Sequence, residues 1–428
     1  MGRWSRPAAR GGVRRRQLEV GVRDHDAAQV SPGAQEVGDI VGPVEVGRVA
    51  HGGHFVARYE GRVIFVRHTL PGELVMVRLT EVGHARFWRG DAVEIRRAAP
   101  DRVDPPCRVP PECGGLEFQH IRLDAQRRLK AEVISEQLDR LAGLHREVVV
   151  EPVPGAASNG LDWRTRMRYL VRDGRAGMRA YRSNDFVELP PQGCLIADPR
   201  GPRGTELDVF ARRAGRELLV TTAASGVSIM SEGRMLAGDL IVREQVGQRQ
   251  FRVRADGFWQ VHPGAAGTLS EAVLAAVEPR PAETALDLYC GVGVFAAALS
   301  DAGARVTGVE LDGPAIRLAG TNVPEARFVA GRVERALGSL PGHCDLVVLD
   351  PPRSGAGRQV VAGIAARTPS RVAYVACDPA ALARDLASFG ARGYRVSTLR
   401  AFDMFPMTHH VECLAILERS TSRPGQPS

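Results

Sequence analysis

From Pro263 onward the chain alternates strand-length apolar runs with helix-length amphipathic segments, and this rhythm constrains the fold more than any other feature. A helical period over residues 265–277 leads into a buried run at 285–289. Further apolar runs follow at 306–309, 346–349, 372–375 and 411–417. Such an order buries its apolar faces as an open α/β sheet. Ligands of these sheets collect beyond the carboxyl ends of the strands, so chemistry is sought where the chain leaves each strand.

The first strand is left through Asp287-Leu288-Tyr289-Cys290-Gly291-Val292-Gly293, which opens a helix near Phe295. Gly291 and Gly293 allow a tight turn and close approach to a ligand. Glu310 ends the next strand, at the spacing where such folds set a carboxylate on a ribose hydroxyl pair. The third spaced glycine of a dinucleotide fingerprint is missing, which disfavours NAD and suits S-adenosylmethionine. Leu349-Asp350-Pro351-Pro352-Arg353 leaves a later strand, and Tyr374-Val375-Ala376-Cys377-Asp378-Pro379 the one after it. Cysteine is more often a small buried hydrophobe than a nucleophile, and Cys290, Cys344 and Cys413 are read that way. Cys377 differs by its place at a strand's ligand-facing end.

Ahead of this region the sequence divides in three. Residues 1–36 are rich in Arg, Gly, Ala and Pro, with Arg14, Arg15 and Arg16 in a row, and read as a disordered basic tail. Residues 37–98 hold short apolar runs such as 62–66 and 73–79, punctuated by glycine, and suggest a small barrel of about five strands. Proline density at 101–111 marks a linker. Residues 99–262 then carry an amphipathic helix over 125–142 and segments at 167–171, 217–222 and 250–253. They read as a mixed α+β domain with a mostly antiparallel sheet, and residues 263–428 as the α/β domain.

The chain of 428 residues carries a formal charge of +8, which fits a polyanionic partner; Lys130 is its only lysine. No apolar stretch approaches membrane-spanning length and no secretory signal is seen, so a cytoplasmic protein without membrane contact is expected. Seven cysteines at irregular spacing do not form a disulfide framework.

The runs 287–295, 350–353, 377–385 and 403–417 together resemble the RNA uracil-5-methyltransferase family, and Asp403-Met404-Phe405-Pro406-Met407-Thr408-His409-His410-Val411-Glu412 is especially specific. Phe258-Trp259-Gln260-Val261-His262-Pro263 matches too, and the barrel resembles the TRAM module with which these enzymes hold RNA. The resemblance implies a Rossmann-like S-adenosylmethionine methyltransferase domain preceded by a TRAM/OB-like barrel and the central domain. It implies Cys377 as nucleophile and Glu412 as base. Gln260, Tyr289, Gly291, Gly293, Glu310 and Asp350 fall at cofactor positions, with Arg332 near a further contact. The implied substrate is a uridine in structured RNA, ribosomal or transfer. A monomer is expected.

That chemistry needs both a thiol and a carboxylate. Thiolate addition at carbon 6 of uracil makes carbon 5 nucleophilic, and a base must then remove the carbon 5 proton. The uridine must also be flipped out, a cost that the barrel, the arginines and Trp259 are expected to help meet.

Three departures from the family stand out. Many members hold an iron-sulfur cluster with four cysteines; here Cys107, Cys113 and Cys194 stand in matching places but Leu116 replaces the remaining one, so no cluster or other metal is expected. Val294 replaces a polar residue beside the cofactor. Asp378 replaces asparagine after the nucleophile and, if unpaired, would raise the Cys377 pKa. The competing expectation is an RNA-binding or RNA-folding protein that has kept the scaffold and lost catalysis.

Overall fold

The computed structural model describes residues 35–84, 86–109 and 113–420; of the tail read at 1–36, all but the last two residues lie outside the described residues. Strands β1 (Ile40–Ala50), β2 (His54–Tyr59), β3 (Arg62–Arg67), β4 (Leu74–Glu81) and β5 (Phe87–Arg97) close into a barrel in the order β1-β2-β3-β5-β4. Period-two alternation turns Val75, Val77 and Leu79 of β4 inward against Phe55, Ile64 and Val66. Gly90 permits the closure: a Cβ there would fall 2.4 Å from Val77 Cγ1 and 2.7 Å from the Arg78 carbonyl. The proline-rich linker is tied down, because Arg102 donates to Glu73 at 2.6 Å and to the His68 carbonyl at 2.8 Å.

Helix α1 (Leu123–Ala142) ends on Gly143 at φ 64°, whose amide closes back onto the Asp139 carbonyl. It joins two cores: Ala125 and Leu129 complete the barrel interior, while Ile134 and Leu138 pack under the C-terminal sheet described below. The short strand β6 (Val150–Pro152) follows. Next, β7 (Arg166–Arg172), β8 (Arg175–Arg179), β9 (Phe186–Glu188), helix α2 (Thr205–Ala211), β10 (Glu217–Ala223), β11 (Gly226–Ser231) and β12 (Arg234–Ala237) build an antiparallel sheet ordered β12-β11-β10-β7-β8-β9. The segment 250–253, expected in that sheet, instead lies in a separate ribbon of β13 (Ile241–Val246) and β14 (Arg249–Arg254).

The remainder alternates as its rhythm requires: α3 (Ala265–Val277), β15 (Thr284–Leu288), α4 (Val294–Asp301), β16 (Arg305–Glu310), α5 (Gly313–Asn322), β17 (Arg327–Ala330) and α6 (Val333–Ala336). After these come β18 (Leu346–Leu349), α7 (Gly357–Ala366), β19 (Arg371–Ala376), α8 (Pro379–Gly390), β20 (Tyr394–Asp403) and β21 (Glu412–Arg419). The eight strands run β17-β16-β15-β18-β19-β21-β20-β6. One face packs on α1, α7 and α8, the other on α3 and α4. The first five of these strands are mutually parallel, but β21 is antiparallel to both its neighbours. Its beginning, rather than its end, therefore lies at the edge where the parallel strands finish.

Candidate active site

At that edge lies a cavity of about 900 Å³, lined among others by Gln260, Tyr289, Gly291, Glu310, Arg332, Asp350, Arg353, Cys377 and Glu412. The loop after β15 folds sharply, with Tyr289 at φ 64°, Gly291 at φ 55° and Gly293 at φ 92°. Gly293 does not line the cavity; it caps α4 and backs onto Val323, Ala319 and Phe328, where a Cβ would come within 3.2 Å of Val323. Asp287 holds the same turn from below, accepting the Ala296 amide at 2.8 Å on Oδ2. Its Oδ1 has no partner, and burial pushes its carboxyl up to about 8.

Glu310 accepts from the Gly291 amide at 3.0 Å and from the Asp312 amide at 2.7 Å, which fixes its carboxylate at the rim of the glycine loop. The cavity thus offers acceptors for sugar hydroxyls and buried carboxylates beside a glycine turn. That donor set fits a cationic nucleoside such as S-adenosylmethionine, which would be held by Gln260, Tyr289, Gly291, Glu310 and Asp350.

Cys377 follows β19, and Glu412 opens β21; the Ala376–Cys413 register sets them at the same edge. Burial, then the Glu412 and Asp350 carboxyls, push the Cys377 thiol up to about 12, and Arg353 draws it back down. Burial and then Asp350 push Glu412 well above the carboxylate range, again opposed by Arg353; its Oε1 has no hydrogen-bond partner. Asp350 is likewise raised by burial. Arg353 is the cation common to the Cys377 thiol and the Glu412 carboxyl.

The segment between β20 and β21 is gripped by α1. Lys130 Nζ lies 2.6 Å from Asp403 Oδ1 and 3.1 Å from the Phe405 carbonyl. Gln126 accepts the Met407 amide at 2.9 Å, and the Phe118 amide donates to the Met407 carbonyl at 2.9 Å. Met407 sits at φ 66°, so the turn is held by tertiary contacts against its local preference.

The family model for tRNA (uracil-5-)-methyltransferase matches residues 339–420, a TRAM domain matches 35–93, and a methyltransferase small domain matches 266–370. An uncharacterized RNA methyltransferase of Streptomyces avermitilis is 47% identical over 423 residues, covering 88% of this chain and 97% of that one. The chain belongs to the RNA uracil-5-methyltransferase family. Another RNA methyltransferase, from Bifidobacterium longum, is 35% identical, covering 88% of this chain and 96% of that one. The fold is shared with a crystal structure of Pyrococcus abyssi tRNA (uracil-54, C5)-methyltransferase in complex with S-adenosyl-L-homocysteine. That likeness has a TM-score of 0.67 at 23% identity and covers 88% of this chain and 99% of that one.

Several residues that shape the site in this family member carry no signal in the sequence. Trp259, expected to help grip RNA, is buried against Phe251, and its neighbour Phe258 stands 74% exposed at the cavity mouth instead. The motif after β18 gives no sign in sequence that Arg353 faces both Cys377 and Glu412. Lys130 and Gln126 lie on a helix whose pattern announces only packing. Asp385, inside α8, accepts the Tyr374 hydroxyl and the Ala356 amide, each at 2.7 Å, and so holds the loop that follows Asp350.

The three cysteines matched to cluster positions lie near enough to act on one another's thiols. Cys107, Leu116 and Cys194 are buried in one apolar core with Trp163 and Tyr169, and burial pushes the Cys113 thiol up to about 11. Leu116 fills with hydrocarbon the place where a fourth thiolate would stand, so these residues do not fit a four-thiolate cluster. Among the described residues no group of three or more His, Cys, Asp or Glu side chains is arranged to hold a metal, and no helix is long and apolar enough to cross a membrane.

Proposed function

We propose that this protein methylates carbon 5 of a uridine in structured RNA through a covalent bond between Cys377 and carbon 6. The supporting observation is that Cys377 and Glu412 line one cavity with the glycine loop and Asp350, an adjacency created by the antiparallel entry of β21.

S-adenosylmethionine, when bound, supplies an electrophilic methyl group. The residues do the rest. The Cys377 thiol gives its proton to solvent and its sulfur adds to carbon 6, which moves the electron pair of the carbon 5–carbon 6 double bond toward carbon 5. Arg353 favours the anionic sulfur. Once carbon 5 carries the methyl, Glu412 takes the carbon 5 proton, the carbon 6–sulfur bond breaks, and the thiolate leaves with its electron pair. Glu412 must be ionised to take that proton, and Arg353, with the cationic sulfonium when it is bound, favours that form against the burial that raises it.

RNA as the substrate is supported by the TRAM match over residues 35–93, by the RNA methyltransferases the chain resembles along most of its length, and by its formal charge of +8. The test is incubation of unmodified transfer and ribosomal RNA with the protein and labelled S-adenosylmethionine, followed by mass spectrometry of nucleosides. Label in 5-methyluridine is expected in one pool. Absence from both would leave an RNA-binding protein on this scaffold.

A further inference from the structure

Lys130 is the only lysine in a chain with 57 Lys and Arg residues together. Arginine serves at every other basic position, so whatever favours arginine elsewhere is overridden here. The structure places this lysine where the cation is most enclosed: its side chain is 1% exposed and that of its partner Asp403 2%. Two acceptors face the ammonium, Asp403 Oδ1 at 2.6 Å and the Phe405 carbonyl at 3.1 Å. A compact ammonium with three donors matches that pair of acceptors. A guanidinium brings five donors in a rigid fork and would leave several of them buried without partners.

We propose that Lys130 is a positioning residue for methyl transfer, pinning the turn between β20 and β21 so that its side chains wall the space around Cys377. The turn has contacts on both sides of the nucleophile. Phe405 lines the large cavity together with Cys377 and Glu412. His409 and His410 line a second cavity of about 130 Å³, which Cys377, Lys130 and the barrel-tip residues His51, Gly52 and Gly53 also border. Lys130 grips the turn at its entrance, through Asp403 and Phe405, and Gln126 grips its middle, through Met407. Both holds come from α1, which also closes the barrel core, so the pin connects the wall of the nucleophile's site to the barrel.

A buried ion pair is weak evidence of a contribution to stability, because replacing both partners with apolar residues of similar volume is often neutral or stabilising. Retaining it at a lone lysine points to geometry rather than stability as its use. This inference rests on the proposed methyl transfer. It is nonetheless separable from the choice of uracil, because its test reads methyl incorporation into RNA whichever nucleoside carries the label.

The experiment compares full-length wild type with Lys130→Arg and with the double variant Lys130→Met/Asp403→Leu, which removes both charges together. Melting temperature, S-adenosylmethionine affinity by calorimetry and kcat for RNA methylation are measured for each. The expected result is cofactor affinity within about twofold of wild type in both variants, with kcat lowered by about tenfold or more, as for a small misplacement of a reacting group. A purely structural pair would give a double variant that melts near wild type and turns over within about twofold of it, and that outcome overturns the proposal. Should the double variant fail to fold, Lys130→Arg decides: turnover within about twofold of wild type overturns the proposal, and a larger loss of kcat with affinity retained upholds it.

Discussion

Asp378 Oδ2 lies 3.0 Å from Nε2 of His51, so the residue immediately after Cys377 is tied to the tip of the barrel. Its other oxygen accepts the Ala381 amide at 2.7 Å and caps α8. From sequence alone, Asp378 was a charge that would raise the Cys377 pKa if left unpaired. It is paired, and the groups that raise Cys377 are burial, Glu412 and Asp350.

Removing this carboxylate is expected to cost stability in a pH-dependent way. Burial pushes Asp378 up, but hydrogen bonds from His51 and the Ala381 amide outweigh it and hold the group below its usual value. A depressed folded pKa gives stability that is present above the unfolded value and lost as pH falls through the folded one. Asp378→Ala should therefore lose about 1 kcal/mol near pH 7, the usual worth of a cap, while Asp378→Asn keeps the cap. Denaturant unfolding at pH 7 and again below pH 4 checks this, since the gap between wild type and Asp378→Ala should narrow in acid. A gap that stays constant would show that the carboxylate is not the source.

The thiol of Cys377 should react slowly in the free protein. With its pKa pushed up to about 12, the thiolate fraction rises about tenfold per pH unit through the range below that value. Alkylation by iodoacetamide, mapped to Cys377 by peptide mass, should follow that slope from pH 7 to 10. Glu412→Gln, which removes a carboxylate that opposes the thiolate, should alkylate faster toward the alkaline end of that range, where Glu412 is ionised, while losing turnover. A rate that levels off below pH 9 would contradict the burial argument.

How much of this could be read beforehand depends on the kind of signal. The glycine loop, the strand ends carrying Asp350 and Cys377, and the five-strand barrel were visible because periodicity and turn chemistry are local. Strands β17 and β20 were not. The first is a short, half-exposed edge with no clear alternation, and the second breaks its alternation at a register shift near Val396. Lys130, Gln126 and Asp385 escaped notice for a different reason. Each acts on a segment far along the chain, and nothing in a helical pattern tells a buried polar side chain that grips a distant loop from one that merely faces solvent.

Cofactor binding should depend on pH through Asp350. Burial raises this carboxyl from an ordinary value of 3.8 to about 7. A raised folded pKa gives stability that is present below the unfolded value and lost as pH rises through the folded one. A cationic sulfonium bound nearby favours the ionised form and opposes that shift. Affinity for S-adenosylmethionine should therefore increase from pH 6 to 8 with release of protons, and affinity for the neutral S-adenosylhomocysteine should change less. Calorimetry in two buffers of different ionisation enthalpy measures the released protons directly. Equal pH profiles for the two ligands would count against a charge interaction at Asp350.

Asp385 and Tyr374 separate support of the site from general stability. Asp385 Oδ2 accepts both the Tyr374 hydroxyl and the Ala356 amide, and the Gly357 amide approaches the carboxylate at 3.2 Å. The loop carrying Arg353 is thus hung from α8. Gly355 makes room for it, since at φ 86° a Cβ there would fall 2.7 Å from Asp385 Oδ2. Tyr374→Phe removes one donor from a carboxylate that keeps its two backbone amides, so about 1 kcal/mol should be lost with kcat little changed. Asp385→Ala removes the acceptor of both amides and of the Tyr374 hydroxyl, and about 1–3 kcal/mol should go with it. Its kcat should fall as well, because Arg353 would no longer be held beside Cys377 and Glu412. Equal kcat in the two variants would mean that the loop keeps its place without Asp385, and that Arg353 is held from elsewhere.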